Sequence, residues 1–235
     1  MRLDPLPSAI AQSRRTDRLG KAGMLQRLRT LMGAAPDPLP AFAAARAAAL
    51  HDALGEPIRV DLDPDRRHRV DVHVYARTFA DDRVPGYMLA TSGMSDRLMT
   101  MPAGYDGDES AARELFWYVR EPTSDFIERL RWLAKLPFTE DSWLGYGHTV
   151  PLPTPPLEAS PFSTFLLLPP ALPADRHLFD NLHLHGHGVE ALVVHLLSDA
   201  EYDLVRSDEG LDVFLDLLDV HRYPQVFDPA RASYL

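Results

Sequence analysis

Three histidines stand at every second position in the segment NLHLHGHG, residues 181–188: His183, His185 and His187. On an extended strand this spacing would place all three imidazoles on one face. Neutral imidazole is a good zinc ligand, and a catalytic zinc site needs three protein ligands and an open position. The segment therefore raises the hypothesis of a metal-dependent hydrolase.

Glycines in the same segment argue against three histidines on one strand. Gly186 and Gly188 flank His187, and a strongly apolar run begins at Val189, which is the pattern of a hairpin with His187 near its tip. Only His183 and His185 are then expected to share a face. A third ligand would have to come from elsewhere, with three candidates: His73, Glu190 and His195. We expect no metal and no cofactor, and keep the hydrolase built on His183 and His185 as the alternative.

Other side chains with catalytic potential have simpler explanations. Ser92 and Ser95 lie in TSGMSD, which is not a nucleophile elbow, and turn hydroxyls that bond their own backbone are commoner. His148 could be a general base or a buried histidine, with no nucleophile recognisable nearby in sequence. Glu201 follows Ser198 at the spacing of a helix capping box, and this structural role accounts for the glutamate without a catalytic function. The sequence therefore presents no catalytic set.

Acidic residues dominate the charge balance, which is formally -10. Such a field disfavours nucleic acid and anionic membranes, and it would steer a basic partner towards the protein. Asp212, Asp216 and Asp219 share one face of an amphipathic helix at 211–219. This face is either a solvated surface or the contact surface for a basic protein.

The 235 residues contain no cysteine and no apolar run of the roughly 20 residues that a membrane span requires. Absence of cysteine excludes disulfides and thiolate chemistry and suits a reducing compartment. Residues 1–20 are polar, and the twin arginine pair Arg14–Arg15 is followed by a stretch too polar for a signal peptide. We therefore expect a cytoplasmic protein.

Periodicity predicts helices near both ends of the chain and strands in the middle. Helices are expected at 24–32, 41–54 and 123–137, the last capped by Ser124 or Asp125 and ended by Pro137. Strand-like segments include 68–78, 86–95, 162–168 and 189–197, while 111–119 fits a strand or a buried helix. Because no regular βαβ alternation is present, we predict one α+β domain, a mixed or antiparallel sheet flanked by helices. The domain would span residues 23–235, after a loosely ordered segment at 1–22.

Several blocks of sequence, in this order, resemble the suppressor of fused domain family. The blocks are VDVHVYA (70–76), MLATSGMSDRLM (88–99), ELFWYV (114–119), WLGYGHTVPL (143–152), LLSDAEYDLVRSDEGLDVFLDLL (196–218) and VFDPARAS (226–233). The resemblance assigns a set of family motif positions: Thr91, Ser92, Gly93, Met94, Ser95, Glu114, Gly147, His148, Thr149, Glu201 and Arg231. The histidine-rich segment lies outside these blocks.

The resemblance implies an α+β fold and a non-enzymatic role in binding proteins. Animal members of the family restrain a transcription factor, and bacterial single-domain relatives resemble immunity proteins that neutralise toxins. The chain is too short for the additional domain of the animal proteins, so transcription-factor binding is not carried over. We therefore expect a bacterial immunity protein whose partner is a basic toxin domain, contacted through Asp212, Asp216 and Asp219.

Overall fold

The computed structural model describes residues 38–79, 84–105, 109–152, 160–221 and 225–235. The chain divides into two compact units, residues 1–41 and residues 42–235. Only residues 38–41 of the first unit are described, so the architecture below is that of the second. The predicted helix at 24–32 and the predicted domain boundary at residue 22 lie outside the described residues.

Eight strands and five α-helices make up the described chain. The strands are β1 (Arg59–Asp61), β2 (Asp71–Phe79), β3 (Val84–Ser92), β4 (Ala112–Val119), β5 (Thr149–Pro151), β6 (Phe162–Leu168), β7 (His183–Leu184) and β8 (His187–Ser198). The helices are α1 (Leu39–Leu54), α2 (Ser124–Thr139), α3 (Pro173–Arg176), α4 (Asp199–Val205) and α5 (Gly210–Val220), with a short 3₁₀ turn at Met94–Asp96.

The strands form one mixed sheet in the order β1-β2-β3-β4-β8-β6-β5, with β7 paired to β8 alone. All neighbours are antiparallel except β4 and β8, which run parallel. The predicted α+β class with a mixed sheet is therefore confirmed. Because β4 lies at the centre of the sheet, every residue of this strand is buried.

Helices cover both faces of the sheet. One face packs on α2, through Phe126, Leu130 and Leu133 against Trp117 of β4 and its neighbours. On the opposite face, Leu50 of α1 belongs to a second core with Tyr75 and Phe116. Beside it, α5 packs on β6 and β8 in a third core made of Leu166, Leu168, Leu197, Phe214 and Leu218. The α5 helix is thus fixed by its apolar side.

Two predicted details of helix α2 are wrong. Its N-cap is Thr123, whose side chain accepts a hydrogen bond from the Phe126 N–H, and neither Ser124 nor Asp125 holds that position. Pro137 does not end the helix, which continues to Thr139. Proline has no N–H and donates no helical hydrogen bond. Because only two helical residues follow Pro137, the missing bond affects only the end of the helix.

No helix of the described residues is long and apolar enough to cross a membrane.

Candidate functional site

Three of the family motif positions, Thr91, Gly93 and Ser95, bond the buried carboxylate of Glu114, which is itself a motif position. Thr91 lies near the end of β3, and its hydroxyl donates to Glu114 Oε2 at 2.6 Å. The Gly93 and Ser95 N–H groups donate to Oε1 at 3.0 and 3.1 Å, and the Ser95 hydroxyl donates to the same oxygen at 2.6 Å. This carboxylate therefore ties the turn after β3 to the centre of the sheet. Met94, the motif position between Gly93 and Ser95, is buried in the hydrophobic core.

Gly93 allows the turn to pass close to the neighbouring chain. Its φ is 130°, which side-chain-bearing residues rarely adopt, and a Cβ at this position would collide with the carbonyl oxygen of Arg69. The prediction that Ser92 and Ser95 bond their own backbone is wrong. The Ser95 hydroxyl binds Glu114, and the Ser92 hydroxyl accepts a hydrogen bond from Arg46 at 3.4 Å.

Arg46 completes this cluster and was not found from the sequence. It lies on α1 with only 1% of its side chain exposed, and its Nε is 3.3 Å from Glu114 Oε1. Its guanidinium also forms an ion pair with Asp96. Burial raises the pKa of Asp96, while the hydrogen bond from Arg46 acts in the opposite direction. The available signal was a single arginine within an alanine-rich apolar helix.

The histidine segment reaches the same cluster from the far end of a hairpin. His185 and Gly186 have φ values of 54° and 81° and form the two-residue turn between β7 and β8. The His185 Nε2–H donates to the Asp96 carbonyl oxygen at 2.8 Å, and its ring packs edge-on against Phe42. His185 therefore fixes the hairpin tip to the 3₁₀ turn.

This geometry corrects the predicted arrangement of the three histidines. His185, not His187, occupies the tip, so His183 and His185 do not share a strand face, and His187 pairs with Leu184 at the start of β8. Two of the proposed third ligands have other partners, since Glu190 pairs with Arg113 and His73 Nδ1 lies 3.4 Å from the Tyr75 hydroxyl. Within the described ranges, no three histidine, aspartate or glutamate side chains are placed to hold a metal ion.

Glu201 and Arg231 form a second buried cluster of motif residues. The Ser198–Glu201 capping box is present as predicted. The Arg231 guanidinium donates to both Glu201 oxygens at 2.7 and 2.8 Å and lies between the rings of Phe162 and Tyr234. Although burial acts to raise the pKa of Glu201, the hydrogen bonds from Arg231, Tyr234 and Ser198 lower it. Glu201 thus anchors the C-terminal segment as well as capping α4.

The remaining motif residues, Gly147, His148 and Thr149, lead into β5 and lie beside α5. Gly147 has a φ of 73°, and a Cβ here would be 3.0 Å from Leu211 of α5. His148 is half-buried with its ring edge against Trp143, and burial lowers its pKa. Gly147 therefore lies against the start of α5, whereas the buried carboxylates of Glu114 and Glu201 lie on β4 and α4.

The predicted contact residues Asp212, Asp216 and Asp219 are all exposed on α5. Val213 and Val220, on the same helix, are 45% and 76% exposed. Among the described residues none of the three carboxylates has an ion-pair partner, in contrast to Asp61, Asp63, Asp175 and Glu201. This helix face therefore combines exposed negative charge with exposed apolar surface.

The sheet order, the helices on both faces and the Glu114 turn define a single α+β domain of a recurrent architecture. The model of the Suppressor of fused protein (SUFU) family matches residues 66–232, and the chain belongs to this family. None of the curated proteins matches the chain.

Solved structures of suppressor of fused proteins share the fold. A homologue from Neisseria gonorrhoeae is 16% identical with a TM-score of 0.61, over 83% of this chain and 97% of that one. A chain of the Sufu–Fu complex is 14% identical with a TM-score of 0.63, over 85% of this chain and 93% of that one. Drosophila Suppressor of Fused is 14% identical with a TM-score of 0.58, over 85% of this chain and 52% of that one.

Proposed function

We propose that this chain is a non-enzymatic, cytoplasmic binding protein that neutralises a cognate bacterial toxin by covering part of its surface. Family membership supports a protein-binding role, since one solved relative is a complex of Sufu with Fu. The observation that carries the proposal further is the α5 face, where Asp212, Asp216 and Asp219 are exposed and form no ion pair with described residues.

The geometry of the buried carboxylates supports binding over catalysis. A general acid or base must reach a substrate proton, whereas the oxygens of Glu114 receive four hydrogen bonds from Thr91, Gly93 and Ser95 inside the core. Glu201 is held in a comparable way by Arg231. These clusters stabilise the domain that presents α5. The exposed carboxylates of α5 take no part in them and remain free to contact a partner.

The chemistry of α5 indicates the kind of partner. Carboxylates that face water speed the encounter with a positively charged protein, and this effect weakens as salt screens the charges. Val213 is exposed beside the carboxylates and supplies apolar area, so the surface combines apolar and charged groups as interfaces do. A basic domain, such as a cationic nuclease, fits this surface.

Charge reversal on α5 tests the proposal. We expect the triple variant D212K/D216K/D219K to lose protection of cells that express the toxin encoded beside this chain. Its affinity for the purified toxin domain should fall by at least about a hundredfold in titration calorimetry, because three attractive contacts become repulsive. The matched control D52K/E121K/E140K changes the net charge equally at exposed positions away from α5 and should retain binding.

Three outcomes separate the parts of the proposal. Equal loss in both triple variants would mean that only net charge matters and that α5 is not the contact. Full binding by the α5 variant would show that the toxin contacts a different surface of the protein. A neighbouring gene product that neither binds the chain nor becomes less toxic in its presence would contradict the proposed function itself.

A further inference from the structure

Among the described residues, strand β1 is the last strand at one edge of the sheet. Its only strand neighbour in the described chain is β2, and the Ile58 N–H donates to the Val74 carbonyl oxygen of that strand at 2.8 Å. The Val74 carbonyl faces β1 and Val74 lies opposite Arg59, so the backbone groups of Arg59 and Asp61 face β2 and those of Val60 face away from it. The Asp61 carbonyl also accepts a hydrogen bond from Arg131 at 3.1 Å.

Every second side chain along this edge is apolar and exposed, which is unusual for a free edge strand. Ile58, Val60 and Leu62 stand at alternate positions and are 60%, 40% and 61% exposed. Val60 lies opposite His73 of β2, so these three side chains share the α1 face of the sheet. Proteins usually place lysine, proline or a covering segment at such an edge, because an open apolar strand pairs with other chains.

The sequence of this edge is complementary to itself. It reads Ile58-Arg59-Val60-Asp61-Leu62, apolar at the ends and centre, basic before the centre and acidic after it. In an antiparallel pairing about a twofold axis at Val60, Arg59 of one copy lies opposite Asp61 of the other, and Ile58 lies opposite Leu62. Each contact then occurs twice, as in any isologous interface.

We propose that two copies of this chain associate through β1, pairing edge to edge about a twofold axis at Val60 to form one continuous sheet. Arg59 and Asp61 are 45% and 28% exposed and already lie 2.7 Å apart within one copy, so both charges can reach across the axis. On the other face, Ile58, Val60 and Leu62 of the two copies form one apolar ladder. The charge pattern selects a second copy over a partner of uniform charge.

The size of the contact sets its strength. A stable dimer buries about 800 Å² on each partner, and a strand as short as β1 covers less than this. We therefore expect a dissociation constant of about 10 µM or weaker and a monomer–dimer equilibrium that follows protein concentration. The α5 face lies on a different part of the sheet and is independent of this contact.

Sedimentation velocity on the full chain tests the proposal. The wild type should shift from monomer to dimer over about 1 to 500 µM. V60K places a lysine against itself on the axis and should weaken association at least tenfold, since like charges directly opposite are destabilising. V220K introduces the same substitution at an exposed valine of α5 and should leave association unchanged.

Mixing two charge variants identifies the register. R59E alone places two carboxylates opposite each other, D61K alone places two cations opposite each other, and each should be monomeric. Mixed in equal amounts, R59E and D61K have opposite charges at both contacts and should form a heterodimer. Thermal melts confirm that each variant is folded, and R59E keeps the Asp61–Arg131 ion pair intact.

Two results would overturn the proposal. A wild-type monomer at every concentration would show that β1 does not recruit a second copy. A dimer that persists in V60K, or variants that fail to associate on mixing while each remains folded, would place any self-association elsewhere.

Discussion

Glu114 is fully buried and takes part in at least four hydrogen bonds and one ion pair. The Gly93 and Ser95 N–H groups and the Arg46 guanidinium can only donate, so they require an acceptor oxygen at Glu114 Oε1. The nearest positive charge, Arg46, balances this ion within the core. The turn Thr91–Ser95 therefore depends on the charge of a residue on another strand.

The substitution E114Q should lower the free energy of unfolding by about 3 kcal/mol. A glutamine amide turns one acceptor into a donor that faces other donors, and it leaves Arg46 without a full counter-charge. Urea denaturation at neutral pH measures the change. E128Q is the matched control, because Glu128 is exposed on α2, and we expect it to cost less than about 1 kcal/mol. A loss below about 1 kcal/mol in E114Q would contradict this account.

Resemblance to a family identified Glu114 and its turn, whereas no local pattern identified Arg46. Ser92, Ser95 and Asp96, which bond Arg46 beside Glu114, lie 46 to 50 positions away along the chain. An arginine in a helix is usually solvated, and only the fold reveals that this one is covered. The same limit applies to His185, whose role depends on an Asp96 carbonyl that is 89 residues distant.

Among the elements, those with strong periodicity were predictable. Alternating valines placed β2, and the Ser198–Glu201 spacing placed the start of α4. The hairpin between β7 and β8 was recognised, but its tip was placed two residues late, because His185 adopts the positive φ that sequence rules reserve for glycine. The pairing of β4 with β8 could not be read at all, since periodicity carries no information on which strands are neighbours.

The C-terminal segment is held on the sheet by Arg231, and R231K tests this element. Lysine cannot bind both Glu201 oxygens in parallel or lie flat between Phe162 and Tyr234. We expect about 2 kcal/mol lower stability and faster amide hydrogen exchange at residues 231–235. R120K is the control, because Arg120 makes an exposed ion pair with Asp228. Unchanged exchange at the C-terminal segment in R231K would contradict this role.

For the molecule as a whole, acidification lowers the free energy of unfolding, because buried histidine stays neutral in the folded chain. Burial and the neighbouring positive charge of Arg231 lower the pKa of His195 from 6.5 to about 4. Between these two values the unfolded chain binds a proton that the folded chain does not, so stability falls as the pH falls. Burial also lowers the pKa of His73 and His148, which adds to the same trend.

We predict that the free energy of unfolding decreases between pH 6.5 and pH 4.5 and that H195Q removes about 2 kcal/mol of this decrease. Glutamine keeps a polar side chain but does not titrate. Urea denaturation at several pH values gives the slope, and H187Q, at an exposed histidine of β8, serves as the control. Equal slopes for wild type and H195Q would show that His195 is not the group responsible.

The parallel pairing of β4 with β8 has a consequence for the order in which the domain forms. Residues 112–116 pair with residues 189–193, so synthesis must pass beyond residue 193 before the central strand gains its second neighbour. Until then the apolar strand β4 has one open edge, while β1 to β4 can already pair through local hairpins. The nascent chain is thus exposed to aggregation over this interval, and chaperone dependence should be greatest for chains stalled before β8.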